Sequence, residues 1–229
     1  MEIILAKSAG FCFGVKRAVE MAYDISANTE KRVFTLGPLI HNSQVIQRLN
    51  NMGVREVKNV CDLPENSVVI IRTHGVSPEI YDELEAKNAE YIDATCPFVK
   101  KIHKIVSEYH NKGYKVIIFG DKNHPEVQGI NGWCNNTAII VENTHQLTDL
   151  TIDNMTCIVA QTTSSKNIWE NIKKFAKTSC KEVLIFDTIC SATDERQNEA
   201  EEIASKADCM VVIGGQHSSN TKKLFDICK

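Results

Sequence analysis

The stretch Tyr91 to Lys101, YIDATCPFVKK, decides the fold. A β-rich run ends in Asp93-Ala94-Thr95, a cysteine stands at the turn, and Pro97 follows. Proline suits the first turn of a helix, where its missing N–H would have no partner anyway. Cys96 is therefore expected at a strand-to-helix junction, at the positive end of a helix dipole, which favours its thiolate. The same phrase returns in FDTICSATDER, Phe186 to Arg196, with Cys190 in the matching place. A looser copy, GFCFGVKRAVEMA, puts Cys12 before an amphipathic helix near the start of the chain.

Apolar, β-branched runs alternate with helical patterns outward from these points. Strands are expected at Ile3 to Ala6, Arg32 to Leu36, Ser67 to Arg72, Lys115 to Phe119, Ala138 to Val141, Thr156 to Ala160, Glu182 to Asp187 and Cys209 to Ile213. Helices are expected at Val15 to Ser26, Gln44 to Met52, Glu79 to Lys87, Phe98 to Asn111, Lys166 to Thr178 and Asp194 to Lys206. Continuous apolar strands separated by helices imply an α/β fold with mostly parallel sheets, and function on the loops at the strand carboxyl ends.

The pattern repeats. His41, His124 and Ser218 lie 29, 28 and 28 residues after Cys12, Cys96 and Cys190, each four positions beyond a glycine, in TLGPLIHN, IFGDKNHPE and VIGGQHSSN. A further strand then ends in a second polar loop, RTHGV at His74 and QTT at Thr162, before the next cysteine. Three units follow: 13–95, 96–189, and a third formed by 1–12 with 190–229. Repeat arithmetic puts the third unit's second polar loop at about residue 251 to 256, so that unit is expected to be C-terminally incomplete at Lys229.

Composition narrows the classes. A net charge of −3 offers no basic surface for nucleic acid. No apolar run approaches the ~18 residues of a membrane span, and MEIILAKSAG is too short in its apolar part for a signal peptide. A cytoplasmic setting is expected, where thiols stay reduced. Nine scattered cysteines do not make a disulfide framework. Cys61, Cys134, Cys157, Cys180, Cys209 and Cys228 fall outside the repeat and read as structural. His103, His110, His145 and His217 also fall outside it and read as surface or locally bonded histidines.

If the units pack about a pseudo-threefold axis, the thiols of Cys12, Cys96 and Cys190 converge near His41, His74, His124, Glu126, Thr162, Ser218 and Asn220. Three thiolates without a fourth suit an iron–sulfur cluster with one open iron. Imidazoles, hydroxyls and an amide suit an anion such as a phosphate. Three other classes remain: a non-enzymatic cluster protein serving as electron carrier or redox sensor, an open-cluster hydro-lyase, and a structural zinc site.

GFCFGVKRA, GPLIHN, RTHGV, DATCPFVKK, HPEVQG, QTT, DTICSATDERQ and SSNT, in this order from Leu5 onward, closely resemble the 4-hydroxy-3-methylbut-2-enyl diphosphate reductase family. The resemblance implies a trefoil of three α/β units around a central [4Fe-4S] cluster on Cys12, Cys96 and Cys190, with an open apical iron. It implies reductive dehydroxylation of the allylic diphosphate to isopentenyl and dimethylallyl diphosphate in the methylerythritol phosphate route to isoprenoids. It further implies a diphosphate site of His41, His74, His124, Ser218, Ser219 and Asn220, and Glu126 as proton donor with Thr162 beside it. Electrons would come singly from a ferredoxin or flavodoxin.

Overall fold

The computed structural model describes residues 2–148, 155–179 and 182–229. Cys180 lies outside the described residues. Two four-stranded parallel sheets carry the fold. The first half runs α1 (Phe13–Asn28), β1 (Arg32–Leu36), α2 (Ser43–Asn51), β2 (Arg55–Val57), β3 (Ser67–Ile71), α3 (Pro78–Ala86) and β4 (Glu90–Asp93). The second runs α4 (Pro97–Asn111), β5 (Lys115–Phe119), α5 (Pro125–Gly132), β6 (Ile139–Val141), α6 (Thr144–Thr148), β7 (Thr156–Ala160), α7 (Lys166–Ser179) and β8 (Val183–Ile185). Two helices follow, α8 (Ser191–Ala204) and α9 (Ser219–Ile227).

Both sheets have the same topology, β2-β1-β3-β4 and β6-β5-β7-β8. In each, the chain leaves the two central strands toward opposite sides, so the loops after β1 and β3, and after β5 and β7, part at the carboxyl edge. Such a switch point opens a crevice for ligands. Alternate residues feed the two faces. Val33 and Ile70 pack with α1 and α2 residues such as Ala18, Ala22 and Leu49, while Leu36, Val69 and Ile71 pack with Leu84 of α3. In the second sheet, Ile117 and Ile158 meet Trp169 and Ile172 of α7, and Ile118 and Val159 meet Ile102 and Val106 of α4. Strands covered on both faces need apolar residues throughout.

Among the described residues no strand forms at 3–6 or 209–213, where apolar runs predict two. A strand exists only through the ladder bonds of a neighbour, and these segments have none. They carry no regular secondary structure, with Ile3, Leu5, Val211 and Ile213 largely exposed. Cys209 is likewise exposed rather than inside a strand. Conversely, the polar edge strand β2 carries no apolar signal, and the glycines in PEVQGING conceal α5. Gly132 has a steric reason, since a side chain there would collide with Ser77, while one at Gly129 would meet the Gly75 carbonyl at ordinary contact distance.

His103 is buried, not a surface residue. It stacks on Trp133 at 5.2 Å, and Trp133 donates its indole N–H to the Val76 carbonyl at 3.0 Å, so α4 and α5 grip the loop after β3.

Ile118 lies at the centre of β5 with no exposed surface. Ile118→Ala is expected to lower the unfolding free energy by about 2–5 kcal/mol, as buried Ile-to-Ala changes do. Urea denaturation followed by circular dichroism checks this; a loss below about 1 kcal/mol would contradict the packing described.

Candidate active site

Cys12, Cys96 and Cys190 stand at the N-cap positions of α1, α4 and α8, all with extended backbone conformation. Parallel-strand geometry sets the latter two in the same way. The Cys96 N–H donates to the Thr73 carbonyl at 3.0 Å and the Cys190 N–H to the Thr162 carbonyl at 3.1 Å. Each cysteine turn is thereby tied to the polar loop of the adjacent strand. The thiols converge: Cys12 and Cys190 both act electrostatically on Cys96. A Cβ at Gly14 would sit 2.7 Å from the Cys96 sulfur, so glycine after the first cysteine keeps room for the second.

The helix dipole does not win at Cys96. Burial pushes its thiol above the usual value; the N–H groups of Phe98 and Val99 pull it down in part, and the neighbouring thiols push it up again. The thiolate form expected from the helix N-terminus therefore needs a bound cation to stabilise it.

Side chains not singled out by the repeat hold these turns. Arg17 donates to the Thr95 carbonyl at 2.7 Å, just before Cys96. Arg196 donates to the carbonyls of Ser8 and Gly10, and Glu199 accepts from the N–H groups of Lys7 and Ser8, so α8 clasps the loop that leads to Cys12. Gln197 reaches the Ser164 carbonyl and accepts from the Lys166 N–H. Arg17 lies in GFCFGVKRA, and Arg196 and Gln197 in DTICSATDERQ, but nothing in their spacing singles them out, because their partners are backbone groups of other loops.

His41, His74 and His124 form a compact cluster with ring centroids 4.5, 5.6 and 5.3 Å apart. One nitrogen from each lies within 4.8 Å of the others, a donor set that could hold a metal ion. The surrounding charge argues for an anion instead. Burial lowers the pKa of all three, and of His124 to about 4, so they are neutral near pH 7. Arg72 adds positive potential at all three, Lys222 at His41 and His124, and His217 at His41, opposed by Asp121 beside His124. His41 Nε2 and His74 Nδ1 are buried without partners, as is Asn220 Oδ1.

The loop from α9 closes the cluster. Gly215 packs on the His41 carbonyl, Ser218 caps α9 by accepting from the Thr221 N–H at 3.3 Å, and the Thr163 hydroxyl donates to Ser219 Oγ at 2.9 Å. Glu126, at the start of α5, is 3 % exposed. The Thr162 N–H donates to its Oε1 at 2.6 Å and the Thr162 hydroxyl bonds its Oε2 at 2.7 Å. Burial raises its pKa to about 7 against the pull of these two bonds.

All sequence-identified residues thus gather at the carboxyl edges of the two sheets. The register corrects one correspondence: β3 and β7 align Thr73 with Thr162 and His74 with Thr163, whereas loop spacing matched His74 with Thr162.

The family model described as LytB protein matches residues 3–229. The chain belongs to the LytB family. It is 48% identical over 231 residues to 4-hydroxy-3-methylbut-2-enyl diphosphate reductase of Clostridioides difficile (strain 630), spanning 100% of this chain and 83% of that relative. A solved (E)-4-hydroxy-3-methyl-but-2-enyl diphosphate reductase, titled the terminal enzyme of the non-mevalonate pathway, superposes with TM-score 0.78 at 41% identity over 99% of this chain and 81% of its own. The E-1-hydroxy-2-methyl-but-2-enyl-4-diphosphate reductase of Plasmodium falciparum superposes with TM-score 0.89 at 32% identity, covering 96% and 70%. No described helix of this LytB chain is long and apolar enough to cross a membrane.

Iodoacetamide at pH 8 on the metal-free chain is expected to label exposed Cys61 and Cys209 ahead of Cys96, with buried Cys134 and Cys157 last. Peptide mass spectrometry reads the order. Cys96 reacting first would contradict the balance between burial and helix terminus given above.

Proposed function

We propose that this chain reduces (E)-4-hydroxy-3-methylbut-2-enyl diphosphate to isopentenyl and dimethylallyl diphosphate. The observation that carries the proposal is the adjacency of three cysteines at helix N-cap positions, a neutral imidazole cluster in positive potential, and a buried carboxyl group with pKa near 7. An electron carrier would need only the first of these. The reaction breaks the allylic C–O bond, takes up two electrons and two protons, and releases water.

Cys12, Cys96 and Cys190 would hold a [4Fe-4S] cluster. The donor set fits, since the sulfurs come from three separate turns and, among the described residues, only the histidines close to single-ion spacing. Bound there, the cluster supplies electrons one at a time and an iron open to an oxygen ligand. His41, His74 and His124, with Ser218, Ser219 and Asn220, bind the diphosphate. On meeting that anion the imidazoles gain protons, because a nearby negative charge favours their charged form. Glu126 in its protonated form delivers protons to the reacting allylic end. Thr162 fixes both carboxyl oxygens and orients the substrate hydroxyl, so a proton can pass along the 2.7 Å contact.

The same proposal divides the chain into units 13–95, 96–189, and 1–12 with 190–229; the shared strand order of the two sheets supports it. It places the chain in the cytoplasm, with a ferredoxin or flavodoxin as the one-electron donor.

An anaerobic assay with a one-electron donor and the allylic diphosphate tests the proposal. A general acid must be protonated, so kcat is expected to fall as pH rises through about 7 or somewhat higher, where diphosphate raises the Glu126 pKa further. Glu126→Gln is expected to bind substrate normally and lose about 100-fold or more in kcat. Turnover that stays flat from pH 6 to 9, or survives Glu126→Gln, would remove Glu126 from its role.

A further inference from the structure

The two sheets place one residue at the same position with different chemistry. Gly37 follows β1 and Gly120 follows β5, and each donates its N–H to the edge strand, to Val57 at 2.8 Å and Val141 at 3.0 Å. The residue after the neighbouring central strand lies over each glycine: Arg72 over Gly37, Gln161 over Gly120, so closely that a Cβ on either glycine would collide with it. Gln161 is satisfied within the fold. Its Oε1 accepts from the Asp121 N–H at 3.1 Å and its Nε2 donates to Thr163 Oγ1 at 3.1 Å. Arg72 is half-buried, and its Nε is buried without a partner. A structural role at this position needs only a neutral amide, as the second sheet demonstrates; a guanidinium there costs desolvation.

Resting on the diphosphate reading of the histidine cluster, we infer that Arg72 is a specificity-determining residue whose guanidinium supplies the permanent positive charge selecting a diphosphate over a singly phosphorylated or neutral ligand. Arginine keeps its charge under burial and offers a planar fork of donors to phosphate oxygens. His41, His74 and His124 are neutral until an anion arrives. The other groups facing the site are exposed Lys222 and His217, Asp121 beside His124, and Glu56, which supports the Arg72 charge from the β2 side. Above neutral pH, Arg72 is the inward-packed cation among them. As pH falls, protonated imidazoles can share that task.

Calorimetric titration of the anaerobically reconstituted chain with inorganic pyrophosphate and with orthophosphate, at pH 8 and pH 6, tests this. At pH 8, R72Q is expected to weaken pyrophosphate binding about 10- to 100-fold, the range of one charge-assisted contact, with little change for orthophosphate. At pH 6 the deficit is expected to narrow, because removing Arg72 lets the histidines protonate more readily. R72K, which keeps the charge, is expected to recover most of the pH 8 affinity. Melting curves verify folding, and R72M replaces R72Q if the glutamine variant does not fold. Equal losses at both pH values, or R72K as weak as R72Q, would mark a structural role and overturn the inference. Wild-type binding with an unaffected R72Q overturns Arg72 alone; no pyrophosphate binding by wild type overturns the diphosphate reading and the inference with it.

Discussion

Two backbone hydrogen bonds, Cys96 N–H to Thr73 carbonyl and Cys190 N–H to Thr162 carbonyl, set the arrangement on which the rest depends. Each fastens a cysteine turn to the loop of the strand beside it beyond the end of the ladder, in the second sheet past a position where the Thr188 hydroxyl bonds both backbone groups of Ala160. Thiols and polar loops therefore cannot move independently. The residues that follow or face those loops, His74, Thr163 and Glu126, inherit their positions from the same bonds, and the two sheets deliver them with the same strand order.

Burial then divides the edge into regions of different charge preference. Imidazoles lose their charge but sit in the field of Arg72 and Lys222, a setting that suits an anion. The Glu126 carboxyl, shut in behind Thr162, holds a proton into the neutral range. The Cys96 thiol is kept from ionising until a cation offsets desolvation.

Much of this was legible in the sequence. Arg32–Leu36, Lys115–Phe119 and Thr156–Ala160 form strands with the expected bounds because doubly covered strands are apolar throughout. The repeat spacing located His41 and His124 because both follow the first central strand of a sheet by the same loop. It shifted His74 by one residue relative to Thr162, since the intervening segments differ in length and only the hydrogen-bond register settles correspondence. Ile3–Ala6 and Cys209–Ile213 have the composition of buried strands, but composition cannot supply a partner. Sequence alone offers Arg72 only as a carboxylate clamp for a hydro-lyase; its place over Gly37 stands out beside Gln161 over Gly120, a comparison that needs both sheets.

Cys12, Cys96 and Cys190 are proposed to hold one cluster together, with one iron left free of protein thiolate. Mössbauer spectroscopy of the chain reconstituted anaerobically with iron-57 and sulfide tests it most directly. A four-iron cluster is expected in which one iron is spectroscopically distinct from the other three, as three thiolate ligands demand. Four equivalent irons, or iron bound without sulfide, would contradict it.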